Sequence, residues 1–136
     1  MSIAKNGKTL SARAAGTVRE FRFVAGSSAS PSPNDSPLVV EAGVDSVPLG
    51  IAIPDGGAAS GDLLAYQVDG STFLFVDASD TAITNGAPLT CGADGVGLAA
   101  GEGDAYYAIA LAAKASGTGT VPVLVVRGYI PVEDTE

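Results

Sequence analysis

The first residues that could do chemistry are acidic side chains in glycine-rich turns. Such turns occur at residues 55–57, 94–95 and 101–104. Oxygen ligands at alternate positions of a turn could hold a hard cation such as Ca²⁺. None of these turns matches a twelve-residue calcium loop or a glycine-rich nonapeptide array. Because Asp and Gly are the residues that turns require, turn formation is the favoured interpretation and a calcium site is the alternative.

A second candidate is the adjacent pair Tyr106 and Tyr107. Two neighbouring rings could form a stacking platform for a sugar. One ring could equally fill the core while its neighbour packs at an interface, and we favour this interpretation. The tyrosines and the acidic turns together leave a carbohydrate- or calcium-binding β module open as an alternative function.

The residue types give no indication of catalysis. The sequence has no His, which removes Ser-His-Asp and Cys-His nucleophilic machinery and the commonest metal ligand. The single cysteine, Cys91, cannot form an intrachain disulfide and has no basic neighbour to activate its thiol, so we predict a small apolar residue near a strand end. A P-loop and a Rossmann fingerprint are also absent from the sequence. We therefore expect no catalytic residue, no metal site, no cofactor and no enzymatic activity.

Charge is distributed unevenly along the chain. Residues 1–22 hold five basic residues and one acidic residue, whereas the rest of the chain holds two basic and fourteen acidic residues. The formal net charge of −8 argues against nucleic acid as a partner, because phosphate binding needs clustered Lys and Arg. The basic N-terminal stretch is typical of a segment with its own partner, or of a merely solubilising terminus.

Hydropathy gives no sign of a membrane partner. Residues 1–16 lack the continuous apolar region of a signal peptide. The longest apolar run, at residues 105–113, is far shorter than the roughly 20 residues that a membrane-spanning helix needs. We expect the protein to fold in a reducing cytoplasm.

One stretch of the chain occurs twice. Residues 42–68 align with residues 100–126 without a gap, at a shift of 58. In each copy an acidic turn with Gly leads to an apolar strand, a loop of small residues and a second apolar strand. Such a repeat indicates two related structural units. The identical pairs are Ala42 and Ala100, Gly43 and Gly101, Ile51 and Ile109, Ala52 and Ala110, Gly61 and Gly119, and Val68 and Val126.

The repeat also predicts a strand at residues 105–113. Taken alone, this run is rich in Ala and Leu, which favour a helix. Its mate at residues 47–53 contains Pro and Gly, which a helix interior excludes. Both copies alternate with a period of two, which predicts strands with large residues toward the core and small residues where something packs closely. The large residues are Leu49, Ile51, Ile53, Tyr107, Ile109 and Leu111, and the small ones are Gly50, Ala52, Ala108 and Ala110.

The predicted fold class is all-β: a compact β-sandwich or barrel-like domain made of two tandem related β units, with an extended N-terminal arm. The arm comprises residues 1–17, the single β domain residues 18–132 and an acidic tail residues 133–136. Residues 18–24 are predicted to form the first strand of the domain. The dipeptide Asp69-Gly70 between two apolar runs predicts a hairpin turn.

Turn residues in the second half occur in an order typical of one protein family. The chain resembles the small capsid cement or head-decoration proteins of tailed bacteriophages over about residues 18–128. In the first half, residues 49–52 followed by residues 61–64 resemble the same unit. The matching residues of the second half are Gly86, Pro88, Leu89, Asp94 and Gly95, then the Gly103-Asp104 turn, an Ala/Ile strand and a Val-rich strand.

The resemblance implies an all-β, often trimeric protein on the outer capsid surface of the virion, at local threefold positions. There it would clamp neighbouring subunits of the major capsid protein, with an N-terminal arm making much of the contact. The Ser/Pro loop at residues 26–37 and the acidic tail depart from the family. The predicted partners are the major capsid protein and further copies of the chain in a homotrimer. The predicted capsid-binding residues are Ile3, Lys5, Lys8, Leu10 and Arg13.

The predicted contact between copies comes from the residue pattern. Small strand faces allow close approach. Residues 121–126 are apolar on both faces, as expected for a strand covered in the core or at a subunit contact. The predicted oligomer-interface residues are Gly50, Ala52, Ala108, Ala110, Val123 and Val125.

Overall fold

The computed structural model describes residues 7–27, 37–53 and 57–132. Within these ranges the chain forms β-strands and a short 3-10 turn at Ala93–Gly95, with no α-helix, so the predicted all-β fold class is confirmed. No helix of the described chain is therefore long and apolar enough to cross a membrane. The strands are β1 (Thr9–Ala14), β2 (Phe23–Gly26), β3 (Leu38–Glu41), β4 (Gly50–Ala52), β5 (Leu63–Gln67), β6 (Gly70–Asp77), β7 (Pro88–Cys91), β8 (Gly97–Ala99), β9 (Ala105–Ala110) and β10 (Thr118–Tyr129).

The strands close into two barrels. Barrel one runs in the order β1, β3, β2, β4, β5, and β5 pairs with β1. Barrel two runs in the order β6, β8, β7, β9, β10, and β10 pairs with β6. In each barrel the first and third strands along the chain are parallel, and the other pairs are antiparallel. The two barrels therefore have the same strand order.

The repeated stretches of sequence correspond to the last two strands of each barrel. The shift of 58 places β4 within β9 and β5 within β10. The pairing differs by one residue between the copies. Ala52 lies opposite Tyr66, whereas Ala110 lies opposite Val123 rather than Leu124. The alignment thus matches the strands, while their register is offset by one position.

The barrel interiors are narrow. The diameter of a closed sheet grows with its strand number, and about eight strands are needed before side chains fill the interior comfortably. In β9, Ala108 and Ala110 are fully buried, whereas Leu111 is 40% exposed. The prediction that the large residues of this run face the core is therefore wrong for Leu111, whereas Tyr107 packs against the cluster that the two barrels share. Leu74 and Leu89 of the neighbouring strands fill much of the interior, so β9 contributes small residues there.

One hydrophobic cluster joins the two barrels. Along β2 and β4, Val24 and Ala52 pack with the interior of barrel one. The alternate residues Phe23, Ala25 and Ile51 are also buried, but they pack with the interior residues of barrel two. Both faces of β2 and β4 are therefore covered, and the two barrels form one compact body.

The backbone at Phe21 links the barrels directly. Its φ of 61° lies in the left-handed region, which is uncommon for residues other than glycine. In this conformation its N–H donates to the Ala52 carbonyl at 2.8 Å, and its carbonyl accepts from the Phe75 N–H at 2.8 Å. A second bond between the barrels joins the Gly95 N–H to the Ala42 carbonyl at 2.6 Å.

The start of the chain differs from the prediction. Residues 18–24 are not the first strand, because Val18 forms an isolated bridge with Ala58, a turn follows, and β2 begins at Phe23. The first described strand is β1, which lies within the range predicted as an arm. It pairs along its length with β5, so these residues belong to barrel one.

The dipeptide Asp69-Gly70 does not join a hairpin, as its sequence predicts. Strand β5 belongs to barrel one and β6 to barrel two, so this turn connects the barrels. Gln67 holds the connection: its Nε2 donates to the carbonyls of Asp69 at 2.8 Å and Ser71 at 2.7 Å. The dipeptide forms a turn, as its residue types predict, but the strands on either side of it pair with strands of different barrels.

Candidate functional site

Four of the predicted capsid-binding residues lie at or before the start of β1, and the fifth, Arg13, lies near its end. Ile3 and Lys5 fall outside the described residues. Lys8 and Leu10 are exposed, and the Lys8 N–H donates to Oδ1 of Asp69 at the turn between the barrels. The exposed start of β1 is therefore the described part of the predicted capsid contact.

The arginines of the basic N-terminal stretch bind groups within the protomer. Nη1 of Arg13 donates to the Gly61 carbonyl at 2.6 Å. Arg19 binds Glu41 through Nε and Nη2, each at 2.9 Å from a carboxylate oxygen, and its backbone N–H donates to the same carboxylate at 2.8 Å. Fewer cations are therefore available to an acidic partner than the residue count indicates.

The Arg19–Glu41 pair stays charged over a wide pH range. Partial burial alone would raise the pKa of Glu41, but the hydrogen bonds and charge of Arg19 outweigh it and hold this pKa below its ordinary value. The hydrogen bond to Glu41 raises the pKa of Arg19 in turn. The pair ties the segment ahead of β2 to the end of β3.

Arg22 lies at the boundary of the two barrels and is 8% exposed. Its Nη1 donates to the Asp94 carbonyl at 3.0 Å, and its guanidinium lies 4.2 Å from the centroid of the Phe75 ring. Burial, followed by the charge of Arg19, lowers the pKa of Arg22. Its side chain thus serves a contact inside the molecule.

All six predicted oligomer-interface residues lie inside the protomer. The two residues of barrel one pack there because β4 is covered on both faces, and the four of barrel two line its interior. A contact between copies therefore has to use other side chains. The six residues, all buried, are Gly50, Ala52, Ala108, Ala110, Val123 and Val125.

The acidic turn at residues 101–104 uses a carboxylate oxygen to bind its own backbone. Oδ2 of Asp104 accepts from the Gly101 N–H at 2.9 Å. Asp94 has a φ of 58° in the 3-10 turn, a left-handed conformation that Asp tolerates better than most residues. Asp55 lies outside the described residues. Within the described ranges, no three side chains that could ligate a metal come together.

The two tyrosines do not form one platform. The Tyr107 ring lies edge-on to Phe23, with centroids 6.1 Å apart, and the Arg127 guanidinium lies 5.8 Å from its centroid. The Tyr106 ring covers Gly128, where a Cβ would overlap the phenol. Successive residues of a strand face opposite sides of the sheet, so the two rings cannot stack on one sugar.

Cys91 is buried inside barrel two, as expected of a small apolar residue. Burial raises the pKa of its thiol to about 12. The Sγ atom donates to the Gly92 carbonyl at 3.2 Å. The thiol is therefore protonated and shielded at neutral pH.

The outside of barrel two carries a surface that the sequence analysis missed. On β10, Val121, Val123 and Val125 are buried, while Leu124 is 40% and Val126 36% exposed. Outward residues of β7 and β9 continue this surface, and none of them is charged. We call it the uncharged face and define it by Pro88, Ile109, Leu111, Pro122, Leu124 and Val126. The sequence of residues 121–126 could have indicated this surface. A strand that is apolar on both sides buries one side in the core, and its other apolar side then needs a partner surface.

The uncharged face is continuous across three strands. Ile109 lies opposite both Pro88 on β7 and Leu124 on β10. The Leu111 N–H donates to the Pro122 carbonyl at 2.8 Å, which brings the end of β9 beside β10. The face is thus a single sheet surface and not a scatter of separate side chains.

Two exposed apolar residues of barrel one lie near the uncharged face, on the far side of an arginine. Nη2 of Arg127, next to Val126, donates to the carbonyls of Pro48 at 2.6 Å and Leu49 at 3.2 Å. This contact places Val47 and Leu49, which are 63% and 37% exposed, beside the end of β10. The exposed Arg127 guanidinium therefore lies between the uncharged face and these two apolar side chains of barrel one.

Neither a protein-family model nor a curated protein matches the sequence. The structure is similar to a solved one, the head fiber gp8.5 N base of bacteriophage phi29, with a TM-score of 0.65 and 21% sequence identity. The match covers 88% of this chain and 93% of that chain. At this identity the likeness shows that the two proteins share a fold over almost their full lengths.

Proposed function

We propose that this protein is a structural component of a phage head, a capsid decoration or cement protein. It binds the outer capsid surface at local threefold positions as a homotrimer and stabilises the lattice of the major capsid protein. The observation that carries the proposal is the fold shared with the phi29 head fiber base over 88% of this chain. The protein works by binding, and we assign it no catalytic role and no cofactor.

The capsid contact is assigned to the N-terminal segment and the exposed start of β1. Ile3 and Lys5 precede the described chain, and Lys8 and Leu10 are exposed where β1 begins. Arg13, Arg19 and Arg22 hold groups within the protomer, so Lys5 and Lys8 are the cations that we expect to meet the capsid. Such charges contribute steering and register more than raw affinity.

In a trimer, each N-terminal arm can bind the capsid weakly and the whole assembly still binds tightly. When one copy is bound, the other two bind from a high effective concentration, so overall affinity exceeds that of a single arm without any new contact. The compact body formed by the two barrels would hold the three arms at fixed positions on the capsid.

The test is co-sedimentation of purified protein with expanded empty heads. Deleting residues 1–6 removes Ile3 and Lys5 but leaves β1 intact, and should weaken binding while the β-sheet circular dichroism spectrum is unchanged. Deleting residues 133–136 is the matched control and should leave binding at full occupancy. Binding of the arm deletion at wild-type occupancy would exclude the arm, and failure of the full chain to bind any expanded head would exclude the proposed function.

A further inference from the structure

We propose that the uncharged face is the surface through which copies of this chain bind one another, with Leu124 close to the symmetry axis. This assignment rests on the proposed homotrimer and supplies the interface for it. It replaces the buried residues that the sequence pattern suggested with their outward neighbours on the same strands.

The first argument is the chemistry of the surface. Leu111, Leu124 and Val126 expose between 36% and 40% of their surface on one sheet. Soluble monomers rarely leave a large contiguous apolar surface uncovered, and such surfaces mark interaction sites. The outward residues further along the strands are Thr90, Thr118 and Thr120, and Asp77 of β6 lies opposite Thr118, so the apolar centre has a polar border. This is the arrangement of a subunit interface, with an apolar core and a polar rim.

The second argument identifies the occupant as another copy. In a symmetric assembly, a residue near the axis meets the same residue of its neighbours, so any charge there meets its own sign. Copies of a chain with a net charge of −8 repel one another overall, so an uncharged surface near the axis lets them approach at the least electrostatic cost. A partner with a different sequence imposes no such condition, because it can supply complementary charges.

The third argument is that the strand carrying Leu124 is held firmly in barrel two. Val121, Val123 and Val125 anchor β10 in the interior of barrel two, and β10 pairs with both β6 and β9. A rigid surface loses little conformational entropy when it binds.

The main experiment is sedimentation equilibrium at micromolar concentration. The wild-type protein should sediment as a trimer, and Leu124→Glu should sediment as a monomer with unchanged circular dichroism, because three carboxylates would meet at the axis. Leu63→Glu is the matched control. Leu63 is 62% exposed on β5, the strand of barrel one that corresponds to β10, and its variant should remain trimeric.

A cross-linking experiment does not depend on destabilising the assembly. In Leu124→Cys, mild oxidation should join copies through a disulfide, seen as a dimer on a non-reducing gel. Leu63→Cys should stay monomeric on the same gel. The background is low because the natural Cys91 is buried.

Three results would overturn the assignment. One is a wild-type protein that is monomeric throughout the micromolar range, and another is a Leu124→Glu variant that keeps the wild-type mass. The third is a monomeric wild type whose binding to empty heads is lost in Leu124→Glu, which would give the face to the capsid protein. In that last case the proposed decoration function would stand while the self-association surface would fall.

Discussion

The N–H of Phe75 in barrel two donates a hydrogen bond of 2.8 Å to the carbonyl of Phe21, just ahead of β2 in barrel one. The rings of Phe21 and Phe73 lie 5.7 Å apart beside it. With Arg22 over the Phe75 ring, this region forms a contact between the barrels that combines backbone, aromatic and charged groups. Because the barrels also share a core, we expect the chain to unfold in a single transition.

The contact of Arg22 can be tested by truncation. Arg22→Ala removes a charged hydrogen bond and a cation–π contact from a buried site, and should lower the free energy of unfolding by about 2 kcal/mol. Arg13→Ala, which also loses one bond from a guanidinium to a carbonyl, should cost under about 1 kcal/mol because it lies within barrel one at a more exposed position. Urea denaturation measures both, and equal losses would contradict the role of Arg22 between the barrels.

The Arg19–Glu41 pair predicts a pH dependence. The folded-state pKa of Glu41 is depressed, so its stabilisation is present above the unfolded pKa of about 4.3 and is lost as pH falls through the folded pKa. Glu41→Gln should cost about 1 kcal/mol at neutral pH, and the difference from wild type should shrink below about pH 4. Thermal melts from neutral to acidic pH, with Glu102→Gln as the control at an exposed turn, would show it. A difference that stays constant with pH would rule out the charge pairing.

The narrow interior of barrel two predicts intolerance to one added methyl group. A Cβ at Gly97 would lie 2.5 Å from Cδ2 of Leu74 and 3.0 Å from Cγ1 of Val76. Gly97→Ala should therefore destabilise the protein by about 1–3 kcal/mol. Gly26→Ala is the strand control, because a Cβ there meets nothing within 4 Å. Equal melting temperatures for the two variants would show that barrel two has spare room.

Because the Cys91 thiol is buried, we predict that it reacts slowly with thiol reagents. With a pKa of about 12 and little exposure, Cys91 should react with a thiol reagent at neutral pH many times more slowly than the same residue in urea. Leu63→Cys supplies an exposed thiol in the same protein for comparison. Reaction of Cys91 in the native state at the rate of that exposed thiol would contradict its placement in the core.

Much of the strand content could be predicted from sequence. The repeat correctly made residues 105–110 a strand despite their helix-forming composition, and residues 121–126 lie in β10. These predictions depend on local pattern and turn residues, which the sequence displays directly.

Which strands pair with one another, and which side of a strand faces the barrel interior, could not be predicted. Asp69-Gly70 has the chemistry of a hairpin turn, but whether its flanking strands pair is decided by distant strands. In β9 both faces are uncharged, so alternation alone did not reveal that Ala108 and Ala110 face inward and Leu111 outward. That choice depends on the side chains that distant strands such as β6 and β7 place in the same interior, which no local window contains. The uncharged face was missed for the same reason.

Because the strands leave the ribosome in chain order, part of the core shared by the two barrels stays exposed during synthesis. Barrel one is complete once β5 has emerged, whereas barrel two waits for β10 near the end of the chain. In that interval Phe23 and Ile51, which only the later strands cover, are open to solvent and to other nascent chains. The incomplete chain is thus more prone to aggregation than the folded protein, and rapid completion of translation protects it from aggregation.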